Sequence, residues 1–500
     1  MPASDWNYLA LFAAGLIGLI AAAEWLRKKV GIGPEGTRKA VHILTGVLVA
    51  ATPFVLHSFW PIVILGSAFA AIDFFAVRHH LLSGLHNTSR LTYGTVFYPI
   101  SFVVLALLLW NHNQLILITA MLIMAISDAV AAMVGGNAAK PIQLHPHLEK
   151  KSLQGSLAMF FTTLAIVLFS VSVFSELNPS GPLTWLSRFG LAVVVAIMAT
   201  VCEAVSAKGS DNLTVPLGSA LVMHYMLSHG AGDQLFFILG MLLAAATALF
   251  SYRVRFVDAS GAIGVYVMGT IVFGIGRWAF SIPILTFFIL SSVLSKMGGR
   301  RKKRLAGTFE KSGVRDIWQV IANGGLAVVL LLAWYFLGWN GFYLLYVASL
   351  AAVTADTWAT EIGVLSRQAP RSIVTLQPVP VGASGGVTLL GSLSALAGAL
   401  ILAAVGYAFS PHASPRVLGC KEFLLILTAG GLASFVDSLL GALVQAQYRC
   451  AICQKQTEKK VHCGHPTKMI SGLTWVDNDR VNALSAVAGM IFVLLGLQLI

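Results

Sequence analysis

Apolar runs close to twenty residues long recur from one end of this 500-residue chain to the other, and they constrain its fold more than any other feature. About 20 apolar residues are what a helix needs to cross a hydrocarbon core of about 30 Å. Inside that core the backbone must satisfy its own polar groups, which selects helices. Composition agrees: 57% of the residues are hydrophobic, 11% are charged, and the mean hydropathy is +0.81. A soluble domain carries about 25% charged residues. The expected fold is therefore all-α: a polytopic integral membrane protein with roughly 13–16 transmembrane helices in two bundles. Candidate spans begin near residues 8, 41, 60, 95, 115, 155, 188, 215, 233, 261, 279, 318, 341, 385, 421 and 483. The runs at 215–229 and 341–353 are short or interrupted by glycine, which sets the range in the count.

The first residues, "MPASDWNYLA", lack the basic stretch of a cleavable signal, so the first run reads as an anchor. Five cysteines in a chain of this length argue against a disulfide scaffold. The net charge of +13 reads as loop charge on the cytoplasmic side, and no nucleic-acid partner is expected. Sixteen spans with the N-terminus outside place 29 of the 33 Lys and Arg in inner loops. Only Arg188, Arg277, Arg416 and Lys421 fall on or near the other side. Chemistry carried by the charged loops is thus expected at the cytoplasmic face, of a bacterial inner membrane or its equivalent.

The chain reads as two halves, 1–230 and 231–500, with the loop at 251–264 as a plausible joint. "DAVAAMVG" (128–135) and "DTWATEIG" (356–363) share the pattern D-x-x-A-x-x-x-G, and each is followed by a loop and then "GSL", at 155–157 and 391–393. Each half thus carries an acid near an inner helix end, a polar loop, and a helix that begins at glycine. A helix start attracts anions such as phosphate.

In the first half, Asp128 lies inside an apolar run, where a carboxylate costs about 2.5–3.5 kcal/mol at the bilayer centre. Nearby loops supply partners. "HLEKKSLQGSLAMF" holds Lys150, Lys151, Ser152 and Gly155; the lysines are point charges and Ser152 is a candidate N-cap. "RKAVHI" places Arg38, Lys39 and His42 at another inner helix start, and "DNLTVPLGS" begins a third with Asp211 and Asn212. Basic groups for phosphate and acidic groups for a divalent cation converge on one interface. The chain contains no G-x-x-x-x-G-K-[ST] loop, so a nucleotide would be held in another way.

"RKAVHI", "YGTVFYP", "SDAVAAMVG", "KKSLQGSLA" and "DNLTVP" together resemble the dolichol kinase and phytol kinase family over roughly residues 10–225. That family phosphorylates isoprenoid alcohols, typically with CTP. The resemblance implies CTP-phosphate contacts at Lys150, Lys151 and Ser152, and a metal or catalytic role for Asp128.

The second half is dense in polar signal between 354 and 393. Asp356 and Glu361 are five residues apart, roughly 140° around a helix, and read as Mg²⁺ ligands. Arg371 and Thr375 follow, then "VGASGGV" with Gly385 and Gly386, a loop able to bring backbone amides to an anion. Asp437 sits in an apolar run, and "WVDNDRVN" sets Asp477, Asn478 and Asn482 before the last span. Between these, Cys450-x-x-Cys453 with Cys463 and His465 offers four donors for a tetrahedral Zn²⁺. The alternative is free cytosolic thiols.

This half resembles the phytyl-phosphate kinase family over about residues 235–500, through "SSVLSK", "IANGG", "ADTWATEIG", "VPVGASGGV", "DSLLGALVQAQYRC", "VHCG" and "WVDNDRVN". The two resemblances imply a fusion that converts an isoprenoid alcohol to its monophosphate and then its diphosphate. Two other readings remain open: an isoprenoid lipid transporter or scramblase, and a single prenol kinase with a regulatory second half.

Overall fold

The computed structural model describes residues 3–30, 34–79, 93–138, 142, 151–297, 314–410 and 419–499. Lys150 and the side chain of Arg38 lie outside the described residues. The chain divides into two compact units, Met1–Leu235 and Phe236–Ile500.

Eight α-helices are described in the first unit: α1 (Ala3–Val30), α2 (Pro34–Ala50), α3 (Trp60–Arg78), α4 (Gly94–Leu109), α5 (Gln114–Asn137), α6 (Leu153–Val173), α7 (Trp185–Val205) and α8 (Asp211–Ser228). The centre is α5. Its residues 115–121 are apolar or hydroxyl on every side, and none is more than 1% exposed. A helix apolar all round must be enclosed by others, and α2, α4, α6 and α8 pack around it. Asn113 starts α5 by accepting the Ile116 N–H. One turn of α5, Ile123–Ser127, widens to a π-helix just before Asp128.

The boundary between the units falls within α9 (Ala231–Arg253). Then come α10 (Ala259–Lys296), α11 (Ile317–Leu337), α12 (Gly341–Gly363), α13 (Leu389–Ala408), α14 (Cys420–Leu443) and α15 (Asn478–Leu499). Although α10 has 38 residues, its backbone breaks at Arg277, where φ is +51°. Asp258, before its first turn, donates its N–H to Arg315 O at 2.9 Å. Ser292, near its far end, accepts from the same arginine's side chain at 3.2 Å. A straight helix cannot return both ends to one residue, so α10 is a hairpin of two passes. The loop at 251–264, expected as a joint between halves, instead lies inside the second unit and is tied to Arg315. The centre of this unit is α12, buried without a break from Tyr343 to Ala355 and enclosed by α10, α11, α13, α14 and α15.

Among the described residues, twelve helices are long and apolar enough to cross a membrane, and Lys39–Phe54 and Gly94–Leu109 are shorter apolar helices. The all-α polytopic expectation holds, and the second arm of α10 supplies the pass expected near residue 279. Among the described residues, strands occur only in loops of the second unit. β1 (Arg371–Ser372) pairs with β2 (Gly386–Val387). β3 (Gln447–Arg449) lies between β4 (Gln456–Thr457) and β7 (Lys468–Ser471), and β5 (Val461–His462) pairs with β6 (His465–Pro466).

Candidate active sites

The D-x-x-A-x-x-x-G phrases fold into the same local structure in both units. In the first, the Ser152 hydroxyl caps α6 by accepting the Gly155 N–H at 3.2 Å. A Cβ on Gly155 would stand 3.0 Å from Ala131 O and 3.4 Å from Gly135 Cα. In the second, the Thr388 hydroxyl caps α13 by accepting the Gly391 N–H at 3.0 Å. A Cβ on Gly391 would stand 3.0 Å from Ala359 O and 3.4 Å from Gly363 Cα. Only glycine lets the acid-bearing helix lie this close to the next helix's first turn. The last helices also share a phrase, D-N-x-x-V-x-x-x-S, at Asp211, Asn212, Val215 and Ser219 and at Asp477, Asn478, Val481 and Ser485. Both valines and both serines are fully buried.

In the first unit the π-turn of α5 leaves a carbonyl, Met124 O, 3.1 Å from His42 Nε2. The same nitrogen is 4.0 Å from Asp128 Oδ2. Such turns cluster at functional sites because they free backbone groups. Gly46 permits the approach of α2: a Cβ there would meet Ala125 Cβ at 2.1 Å and the Tyr98 hydroxyl at 2.7 Å. That hydroxyl is buried with no hydrogen-bond partner among the described residues, and its ring meets His42 edge-on at 5.1 Å. Lys151 donates to Glu203 Oε1 at 2.7 Å and Asp211 Oδ2 at 3.2 Å. Burial opposes the lysine's charge, but Asp211, Glu203 and Asp128 outweigh it and raise its pKa, so it stays an ammonium.

Structure thus brings together Asp128, His42, Lys151, Ser152, Gly155 and Asp211. Lys151 is already engaged with two carboxylates, and the Ser152 hydroxyl with its helix cap. Lys39 is half-buried on α2, and Asn212 follows Asp211 in the first turn of α8. Glu203 and Tyr98 are the residues the sequence reading passed over. The signal for Glu203 was present: an acid in the apolar run "MATVCEAV", the same anomaly as Asp128.

In the second unit the carboxyls of Asp356 on α12 and Asp437 on α14 lie within hydrogen-bonding distance of each other. Asp437 Oδ2 is buried with no donor among the described residues. Two carboxyls so placed are held by a shared proton or by a cation between them. Glu361 adds negative potential at Asp356. It also favours the charge on Arg315, a half-buried guanidinium whose pKa desolvation nevertheless lowers. Arg315, Gln319 and Asn323 give the polar part of an otherwise apolar cleft between α10 and α11. Asn482 reaches this edge, donating to Asn323 Oδ1 at 3.4 Å.

The Gly-rich loop packs on α14. A Cβ on Gly385, where φ is +77°, would meet Ser438 O at 2.8 Å. The Gly386 N–H already donates to Ala383 O, so that amide is not offered to an anion. Arg371 lies exposed, with its guanidinium on Leu376 O at 3.2 Å, and the Thr375 N–H turns to Ser372 Oγ. Asp477 caps α15 at the Arg480 N–H and pairs with the Arg480 side chain at 2.9 Å, and Asn478 is the first residue of that helix. These four are loop and helix-end residues, not part of the Asp356–Asp437 pair. Glu458, which the sequence reading missed, accepts from Ser384 Oγ and Gln445 Nε2, both at 2.8 Å, and faces Asp437.

Between α14 and α15, Cys450, Cys453, His462 and Cys463 bring one ligand atom each within 4.8 Å of one another. The expected fourth donor was His465. It is instead exposed, with Nδ1 on Cys463 O at 3.1 Å, and His462 takes its place. The backbone N–H groups of Cys453 and Ile452 point at the Cys450 sulfur and draw its pKa down to about 6.

The family model for the integral membrane protein DUF92 matches residues 242–490, which lie in the second unit. Protein PGR of Arabidopsis thaliana is 33% identical over 267 residues, 50% of this chain and 91% of that one. The phytol kinase of Synechocystis sp. is 31% identical over 228 residues, 43% of this chain and 90% of that one. Protein VTE6, chloroplastic, of Arabidopsis thaliana is 24% identical over 275 residues, 54% of this chain and 71% of that one. No solved structure matches. The second unit's match and the extent of these relatives agree on one assignment: the chain belongs to the DUF92 family of integral membrane proteins, and it has a phytol kinase among its relatives.

Proposed function

We propose that this protein is a bifunctional membrane lipid kinase. Its first unit phosphorylates an isoprenoid alcohol, a phytol-like prenol, and its second unit phosphorylates the resulting isoprenyl monophosphate. CTP is the donor, and both reactions occur at the cytoplasmic face. The observation that carries the reading is the duplicated frame, an acid-bearing helix locked by a glycine pair to a hydroxyl-capped helix start, present once in each unit. The similarity to a phytol kinase supports the substrate class.

The two frames differ as the two acceptors require. An alcohol must lose a proton as its oxygen attacks the terminal phosphorus and the bridging P–O bond to the nucleoside diphosphate breaks. Asp128, beside His42, is the carboxylate assigned to take that proton. A phosphate monoester attacks through an oxygen that is already anionic. It needs no base, but it brings negative charge against the negative donor. The residue before the helix cap changes accordingly, from Lys151 to Val387, and the second unit instead offers the Asp356–Asp437 pair and Arg315. Hard oxygen donors in that number suit Mg²⁺, with Asp356 and Asp437 holding it and Glu361 nearby. When bound, Mg²⁺ neutralises phosphate charge. Arg315 receives the acceptor phosphate, and the apolar cleft behind it takes the isoprenoid chain. Joining both steps in one chain keeps the amphiphilic intermediate at high effective concentration.

The test is incubation of the purified protein, reconstituted in lipid, with γ-labelled CTP or ATP and a panel of phytol, farnesol, geranylgeraniol and a polyprenol. Both monophosphate and diphosphate are expected, with CTP preferred. Monophosphate alone would remove the second activity and favour a regulatory second unit. Neither product, with lipid movement across the bilayer, would replace the kinase reading with the transport one.

A further inference from the structure

We propose that Cys450, Cys453, His462 and Cys463 form a structural zinc site, and that this site clamps the β-finger which holds Glu458 over Asp437. The proposal does not depend on which reaction the second unit performs.

Two tight turns aim the four donors at one point. The first follows β3: Gln454 turns with φ +56° and its N–H donates to Cys450 O at 3.0 Å, folding Cys453 back beside Cys450. The second joins β5 to β6 through Cys463 and Gly464, with φ of +52° and +77°. Positive φ at both central residues is the two-residue hairpin turn, which strongly favours Asn or Gly at its first position. A cysteine tolerated there, against that steric preference, points to a demand for its sulfur. His462 Nδ1 lies 3.2 Å from Cys463 Sγ and 3.5 Å from Cys453 Sγ. Around one Zn²⁺, with Zn–S of about 2.3 Å and Zn–N of about 2.0–2.1 Å, a tetrahedron has S···N edges of about 3.5 Å. The spacing is that of a shared cation. Two backbone N–H groups directed at the Cys450 sulfur supply the outer support typical of such ligands.

The clamp has a target. Cys450 directly follows β3, and β3 pairs with β4 through Tyr448 with Thr457 and Arg449 with Gln456. Glu458 is the next residue, and His462 lies four residues beyond it. Metal at Cys450 and His462 therefore fixes both flanks of the stretch that carries Glu458. That carboxylate in turn holds Ser384 of the Gly-rich loop and Gln445 at the end of α14.

The experiment uses the full chain purified without chelator and dialysed against ZnCl₂, then reads bound metal by mass spectrometry. About one zinc per chain is expected, with tetrahedral thiolate bands after replacement by Co²⁺. Cys453→Ser and His462→Ala should lose most of the metal, whereas His465→Ala keeps it. Amide hydrogen exchange should rise across 456–458 and 382–386 in His462→Ala and remain unchanged in transmembrane segments. Protein that binds no zinc overturns the proposal. Retention by His462→Ala with loss by His465→Ala overturns the ligand set, and metal loss without faster exchange at 456–458 overturns the clamp.

Discussion

Lys151 and Glu203 lie 2.7 Å apart, an ammonium from the start of α6 against a carboxylate near the end of α7, with Asp211 of α8 at 3.2 Å on the same nitrogen. These side chains are 15%, 8% and 15% exposed, so the charges are largely withdrawn from water. Removing one member of such a group leaves an uncompensated buried charge, at a cost of about 3–5 kcal/mol. Lys151→Ala should therefore lower the thermal midpoint of the reconstituted protein and abolish alcohol phosphorylation. Pairing Lys151→Met with both Glu203→Gln and Asp211→Asn should restore most of the midpoint without restoring activity. An unchanged midpoint in Lys151→Ala would show that the triad carries no stability.

The glycine pairs make a packing prediction. At Gly155 and Gly391 a Cβ would be only 3.0 Å from a helix carbonyl oxygen, and backbone cannot step aside as a flexible side chain can. Overpacking of this kind costs about 1–3 kcal/mol. Gly155→Val should slow the alcohol step and Gly391→Val the monophosphate step, each with a lower thermal midpoint. Gly136→Val is the control, because nothing among the described residues lies within 4 Å of its Cβ position. Equal loss at all three positions would mean that helix propensity, not contact, sets the effect.

Much of the fold and part of each site were legible in sequence for identifiable reasons. A twenty-residue apolar run has few solutions, so α5, α6, α12 and α13 were readable, and a carboxylate inside such a run marks itself, as Asp128, Asp356 and Asp437 did. Partnership between distant residues left no trace. Lys151 and Glu203 are far apart in the chain, and Lys151 read as a phosphate contact with no sign of its carboxylate partners. The π-turn that sets Met124 O toward His42 has no compositional mark. The choice of His462 over His465 follows from the handedness of the turn at Cys463 and Gly464, which spacing does not encode. The two passes of α10 were expected as separate spans near residues 261 and 279, but the convergence of its ends on Arg315 was not.

Charge distribution makes a prediction about orientation. If the Lys- and Arg-rich loops are cytoplasmic, the N-terminal end of α5 is on the other side. A single cysteine at Asn113, in an otherwise cysteine-free chain, should react with a membrane-impermeant maleimide added to intact cells, and one at Arg367 should react only after the membrane is opened. The reverse pattern would place both candidate sites outside and remove a cytosolic nucleotide as donor.

The sharpest prediction separates the two units. Asp128 and Asp356 occupy the same place in the repeated phrase, each three residues ahead of the alanine whose carbonyl meets the next helix start, yet their partners differ. Asp128 faces a histidine, whereas Asp356 faces another carboxyl. If one is a base for an alcohol and the other part of a cation site for two phosphates, their losses are reciprocal. Asp128→Asn should block the alcohol step by roughly a hundredfold or more, within the 10²–10⁴ range for acid–base groups, and leave supplied monophosphate converted at the normal rate. Asp356→Asn should do the opposite, so that monophosphate accumulates from alcohol. Raising Mg²⁺ should partly rescue Asp356→Asn, since a weakened metal site refills by mass action, and should not rescue Asp128→Asn. Normal diphosphate formation by folded, inserted Asp356→Asn would remove the second unit from the chemistry.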